Sequence, residues 1–170
     1  MCIRDSRSLY VENDIRFTEG LNMGEDMMVM MKLFICAGKV GIVHRPFYHY
    51  RQSNPESLTK IYSQEHIIQV ANNVYEVEKY VNASAYADSL IEFIPFLKLN
   101  IKLPLLITDD KSHYEQWLEC FPEANCYVMN NKLLPLRTRI IQWMAVKRYF
   151  ILLRLYYRTV FKLVYGIIYK

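Results

Sequence analysis

Between Met27 and Ala37 the chain carries a single charge, Lys32, in eleven consecutive residues. A helix apolar on nearly all sides is normally buried, so this run predicts a core helix. Its flanks carry helix punctuation. Asn22 and Glu25 stand at the N-cap to N3 spacing of a capping box. Gly38 suits the position just past the last helical residue. Asp26 then falls one residue past N3, in the positive field of the first turn, which favours the ionised carboxylate. An ionised carboxylate at the mouth of a cleft can accept a proton from a hydroxyl nucleophile. Read alone, Glu25 and Asp26 do no more than start a helix.

A second cluster follows. Val40-Gly-Ile-Val43 leads through His44 and Arg45 into Pro46-Phe-Tyr-His-Tyr-Arg51, which reads as a strand with an aromatic and basic end. The run Arg51-Gln-Ser-Asn-Pro-Glu-Ser57 is polar and turn-prone, a loop suited to lie over a site.

These residues together carry a resemblance. Arg16-Phe17, Glu19-Gly20, Gly24-Glu25-Asp26, the apolar helix and Val40 to Arg51 resemble the second half of a bacterial family 2 glycosyltransferase domain. Tyr48, Tyr50, Arg51 and Ser57-Leu-Thr59 match that family's Tyr-x-Tyr-Arg and Ser-Leu-Thr elements. The resemblance covers roughly residues 7 to 60. It implies an α/β fold: the acceptor-side half of a GT-A catalytic domain, followed by a mostly helical C-terminal region. It implies an inverting sugar transfer from a nucleotide-sugar donor to a glycan or lipid-linked acceptor, in cell-surface polysaccharide synthesis. Asp26 is the implied catalytic base, and Glu25 helps to orient the acceptor hydroxyl or the helix start. His49, Arg51 and Ser57 match positions that touch the donor diphosphate or its metal.

The same resemblance implies a divalent metal, Mg or Mn, in the intact enzyme. The family holds it with an Asp-x-Asp in a donor half that precedes these motifs. No Asp-x-Asp occurs in this chain; Asp109-Asp110 is adjacent rather than spaced and reads as a polar helix start or loop. The expectation is a C-terminal fragment that binds no metal and is inactive by itself.

Composition argues for an ordered chain. Hydrophobic residues make up 52% and aromatics 14%, too high for disorder. The four cysteines form no Cys-x-x-Cys pair, and the four histidines are scattered, so no zinc site is expected. Three regions follow: residues 7–59 as the acceptor-side part, 60–131 as a helical region, and 132–170 as a basic amphipathic tail. In the second, Ile61, Ile67, Ile68, Val70, Ala71, Val74, Val77 and Val81 recur at near-helical spacing, and residues 112–120 read as a short helix.

The tail is chemically distinct. After Glu123 there is no Asp or Glu, while Arg154, Arg158 and Lys162 stand at i, i+4 and i+8 among dense Leu, Ile, Val and aromatic residues. Three charges inside a spanning helix would each cost about 2.5–3.5 kcal/mol. A helix lying in the interface avoids that cost and lets these residues meet anionic lipid heads. The expectation is a cytoplasmic protein, peripheral on the inner face of the membrane, with no nucleic-acid partner. Two other readings stay open. One is a non-enzymatic helical module that associates with membranes. The other is a phosphate-handling hydrolase using Asp26 with His49.

Overall fold

The structure, a computed structural model, describes residues 6–46 and 64–165, the side chains of 64 and 162–165 excepted. The chain divides into two compact units, Met1–Leu90 and Ile91–Lys170.

The first unit is a short helix and a helix pair. Helix α1 spans Arg7–Glu12 and buries none of its residues; the turn after it buries Ile15 instead. Helix α2 spans Glu25–Cys36 and α3 spans Gln64–Asn82. From α2, Met28, Val29 and Leu33 are buried. From α3, Val74, Val77 and Val81 are buried, a stripe at i, i+3 and i+7 that keeps to one helix face. These two faces pack together. Each fully buried Val or Met contributes roughly 1.5–3 kcal/mol relative to exposure. Polar contacts flank the seam: Lys32 Nζ lies 3.8 Å from Glu76 Oε2, and Cys36 Sγ lies 2.8 Å from the Tyr80 hydroxyl. Burial and that thiol contact push the Tyr80 phenol up to about 12. Although α2 is apolar nearly all round, only one face is buried, and Phe34 is exposed.

The second unit is a small helical bundle. Helix α4 spans Phe93–Ile101, α5 Lys111–Glu119, α6 Leu136–Val146 and α7 Phe150–Tyr156, after which the chain widens into a π-type turn over Tyr157–Tyr165. Tight 3₁₀ turns at Leu103–Leu106 and Pro122–Tyr127 link the first of these. Pro95 sits in the first turn of α4, where its missing N–H leaves no intrahelical bond unmade. The core is Ile94, Leu99, Leu105, Tyr114, Trp117, Phe121, Ala124, Ala145 and Leu153. Asp110 caps α5, its carboxylate accepting the Ser112 N–H at 2.9 Å and the Ser112 hydroxyl at 2.8 Å. Those bonds hold the Asp110 carboxyl below its usual range. Gln142, buried in α6, donates to the Leu99 carbonyl of α4 at 3.0 Å.

This architecture overturns the α/β expectation. Among the described residues there is no strand, and the fold is all-helical rather than the acceptor-side half of a GT-A domain. The physical reason lies at residues 40–46. A strand exists only where a neighbour supplies ladder hydrogen bonds. No described segment pairs with this stretch, and Val40, Ile42 and Val43 are exposed, Ile42 by 80%. The remainder of the expected strand, Phe47–Arg51, lies outside the described residues.

Candidate functional site

The acidic pair sits where a loop turns into α2. Gly24, not Asn22, is the N-cap, with φ +80° in the left-handed region. Glycine takes that conformation without steric cost. Glu25 and Asp26 therefore become the first two helical residues, and Asp26 lies nearer the positive helix end than the capping-box spacing implies. Asp26 is exposed, and its Oδ1 accepts the Met27 N–H at 2.7 Å. Glu25 is half-buried.

Two side chains of α3 pin this loop. The Asn73 amide donates to the Met23 carbonyl at 2.7 Å, and Gln69 Oε1 accepts the Asn22 N–H at 3.0 Å. Gln69 is itself steadied by its amide donating to Glu65 at 3.2 Å. Asn73 is fully buried, and its Oδ1 has no hydrogen-bond partner among the described residues. The result is a rigidly placed, solvent-facing carboxylate at a helix start. A hydroxyl brought within about 3 Å of Asp26 would meet a carboxylate whose preceding loop is anchored at Asn22 and Met23.

The other expected site residues fall elsewhere. His49, Arg51 and Ser57 lie outside the described residues. Arg154 and Arg158 are in the second unit, both exposed. Arg158 Nη2 reaches Asp109 Oδ2 at 3.4 Å, and Arg154 helps to hold the Asp110 carboxyl down. The Lys162 side chain lies outside the described residues. The tail's basic stripe thus runs beside the Asp109-Asp110 corner. Among the described residues no three His, Cys, Asp or Glu side chains gather into a metal-holding group.

Two lysines of α4 and its exit were not singled out by the sequence. Lys102 is 2% exposed. Its Nζ donates to the Cys120 carbonyl at 2.7 Å, the Phe121 carbonyl at 3.3 Å and Asn125 Oδ1 at 2.6 Å. It also sits 4.1 Å from the centre of the Trp117 ring. Burial pulls its ammonium down to about 8. Lys98, also buried, bonds Glu123 Oε1 at 2.8 Å. Both cations stand at the C-terminal end of α5, where the carbonyls carry partial negative charge. Phe121 turns that corner with φ +50°. The arrangement is a cap rather than a reactive centre, because Lys102 is closed to solvent.

A cleft of about 160 Å³ lies in the same unit, lined by Leu103, Leu106, Ile107, Arg137, Tyr156 and Phe161 among others. Among the described residues no helix is long and apolar enough to cross a membrane. No protein-family model matches the chain, and no curated protein and no solved structure matches it either.

Proposed function

We propose that this chain is a fragment of an inverting glycosyltransferase that works at a membrane face. The observation that supports the reading best is Asp26: an exposed carboxylate in the first turn of α2, on a loop anchored by Asn73 and Gln69. In this reading the acceptor hydroxyl oxygen attacks the anomeric carbon opposite the nucleotide diphosphate. Asp26 takes the hydroxyl proton as the new bond forms. Glu25, half-buried beside it, steadies the helix start. His49, Arg51 and Ser57 are proposed to meet the donor diphosphate, where positive charge and hydroxyl donors stabilise the leaving group.

The test is the DNA upstream of the coding sequence. An in-frame segment encoding an Asp-x-Asp at a strand end supports the transferase. A stop codon with no such frame behind it removes the reading. A helical membrane-associating module then takes its place, favoured by the exposed apolar side chains of α6 and α7.

A further inference from the structure

Helix α6 is amphipathic in the reverse of the usual sense. Gln142 and Ala145 are fully buried and mark its inward face. At about 100° per residue, Leu136, Ile140 and Trp143 line the opposite side, and Lys147 continues the same line past the helix end. All of these are exposed. Trp143 meets Tyr149 edge-on, with ring centroids 5.8 Å apart, so the apolar surface runs into the turn before α7. On α7 the pattern repeats: Leu153 is buried, while Ile151, 83% exposed, and Leu155 point away from it. The turn carries Lys147 and Arg148, both exposed, with Arg148 in the left-handed region at φ +56°. After Glu123 the chain has nine Lys or Arg and no acid.

We propose that the outer face of α6 and the turn after it form a docking surface for a bilayer with anionic phospholipid headgroups. The helix lies in the headgroup plane. Leu136, Ile140 and Trp143 seat among the upper acyl carbons, Tyr149 sits at the boundary, and Lys147 and Arg148 face the phosphates. Charge selects a lipid surface as the occupant: the apolar line is bordered by cations, with no acid in the whole stretch. The expectation from sequence is a contact through Arg154, Arg158 and Lys162. The structure sets Arg158 against Asp109 and Arg154 near Asp110, so the local field there is partly neutralised. The inference deepens the membrane side of the proposed function and is independent of Asp26.

The chain carries its own reporter. Of its two tryptophans, Trp117 is fully buried and Trp143 is 38% exposed. The whole 170-residue chain is titrated with phosphatidylcholine vesicles, and with vesicles of about one-third phosphatidylglycerol. Trp143 emission should shift to the blue, and brominated acyl chains should quench it, with anionic vesicles only. Added salt should reverse the effect. Leu136→Ser with Ile140→Ser should weaken anionic-vesicle binding about tenfold or more. Arg154→Gln with Arg158→Gln should leave it within about threefold, since their charges already have acidic neighbours. Unchanged emission overturns the proposal, as does wild-type binding by the serine pair. A lipid-free dimer with Trp143 already shielded and no vesicle binding assigns the face to a second copy instead. Should the serine pair not fold, Lys147→Glu with Arg148→Glu carries the test, and retained anionic binding by that variant overturns the proposal. Failure here leaves the Asp26 reading standing, because no sugar transfer is measured.

Discussion

The side-chain amide of Asn73 reaches across 50 positions of sequence to hold the main-chain carbonyl of Met23 at 2.7 Å. With the Gln69 bond to Asn22 and the left-handed Gly24, it anchors the loop from which α2 starts at Glu25 and Asp26. Asn73→Ala leaves the Met23 carbonyl without this donor and opens a small void in the α2–α3 seam. The expected loss is about 1–3 kcal/mol in urea denaturation. A variant as stable as the wild type would show that the bond does not anchor the loop.

Gly24 and Gly38 bracket α2, and they should respond oppositely to alanine. Gly24 has φ +80°, and an added Cβ would meet Val70 Cγ2 only at 3.7 Å, so space is not the obstacle. Conformation is, at about 1–2 kcal/mol for an L-residue in the left-handed region. Gly38 is not in that region, and an added Cβ there meets nothing within 4 Å. Gly38→Ala is therefore expected to be neutral or to stabilise by up to about 1 kcal/mol. Thermal melts of both variants read the difference directly. Equal losses would remove the conformational argument.

In an enzyme that joins this chain to a donor-binding half, Asp26→Asn should lower turnover by about 100-fold or more. Donor affinity should stay close to wild type, because the proposed role of Asp26 is toward the acceptor. Single-turnover rates together with donor titration separate the two quantities. Turnover within a few-fold of wild type would leave Asp26 as a helix-start residue only.

Lys102 gives the second unit a pH dependence of known sign. Its folded pKa of about 8 lies below the usual 10.5. Between those values the unfolded chain holds a proton that the folded chain has released. Stability therefore rises with pH across that window, and the penalty for burying the cation is fully present below about 8. The full effect is on the order of 3 kcal/mol. Lys102→Met abolishes this titration. Denaturation of both proteins at pH 7 and pH 10 should show wild type gaining on the variant as pH rises. A constant gap would mean that Lys102 titrates alike in both states.

Some of this was legible in the sequence because the rules involved are local. Of the apolar series read along α3, Val74, Val77 and Val81 fall on the buried face, while Ile68 is exposed. Asp110 starts α5, in line with the reading of Asp109-Asp110 as a polar helix start. Asp26 lies in the first turn of α2, as the apolar run beyond it implies. What failed depends on distant partners. Asn22 is the better N-cap by local preference, yet the Asn73 bond to Met23 and the left-handed Gly24 move the cap by two residues. Val40 to Val43 have strand composition, but no described neighbour supplies a ladder. Lys98 and Lys102 carry no local mark in the sequence, because their acceptors lie 18 to 25 residues further on. The neutralising role of Asp109 toward Arg158 spans 49 residues and has no local signature.

The burial of Lys98 and Lys102 has a practical corollary. Trypsin must draw a lysine and its neighbours into its own cleft, and amine-reactive reagents must reach a free, neutral amine. Lys98 and Lys102 are out of reach of both while the bundle is closed, whereas Lys111, Lys132 and Lys147 stand exposed. A brief digest or acetylation pulse should therefore mark the exposed lysines first and spare the two on α4 and its exit. Cleavage or labelling at Lys102 then dates the moment at which the α5 corner comes apart. The chain thus carries a chemical clock for the opening of its second unit.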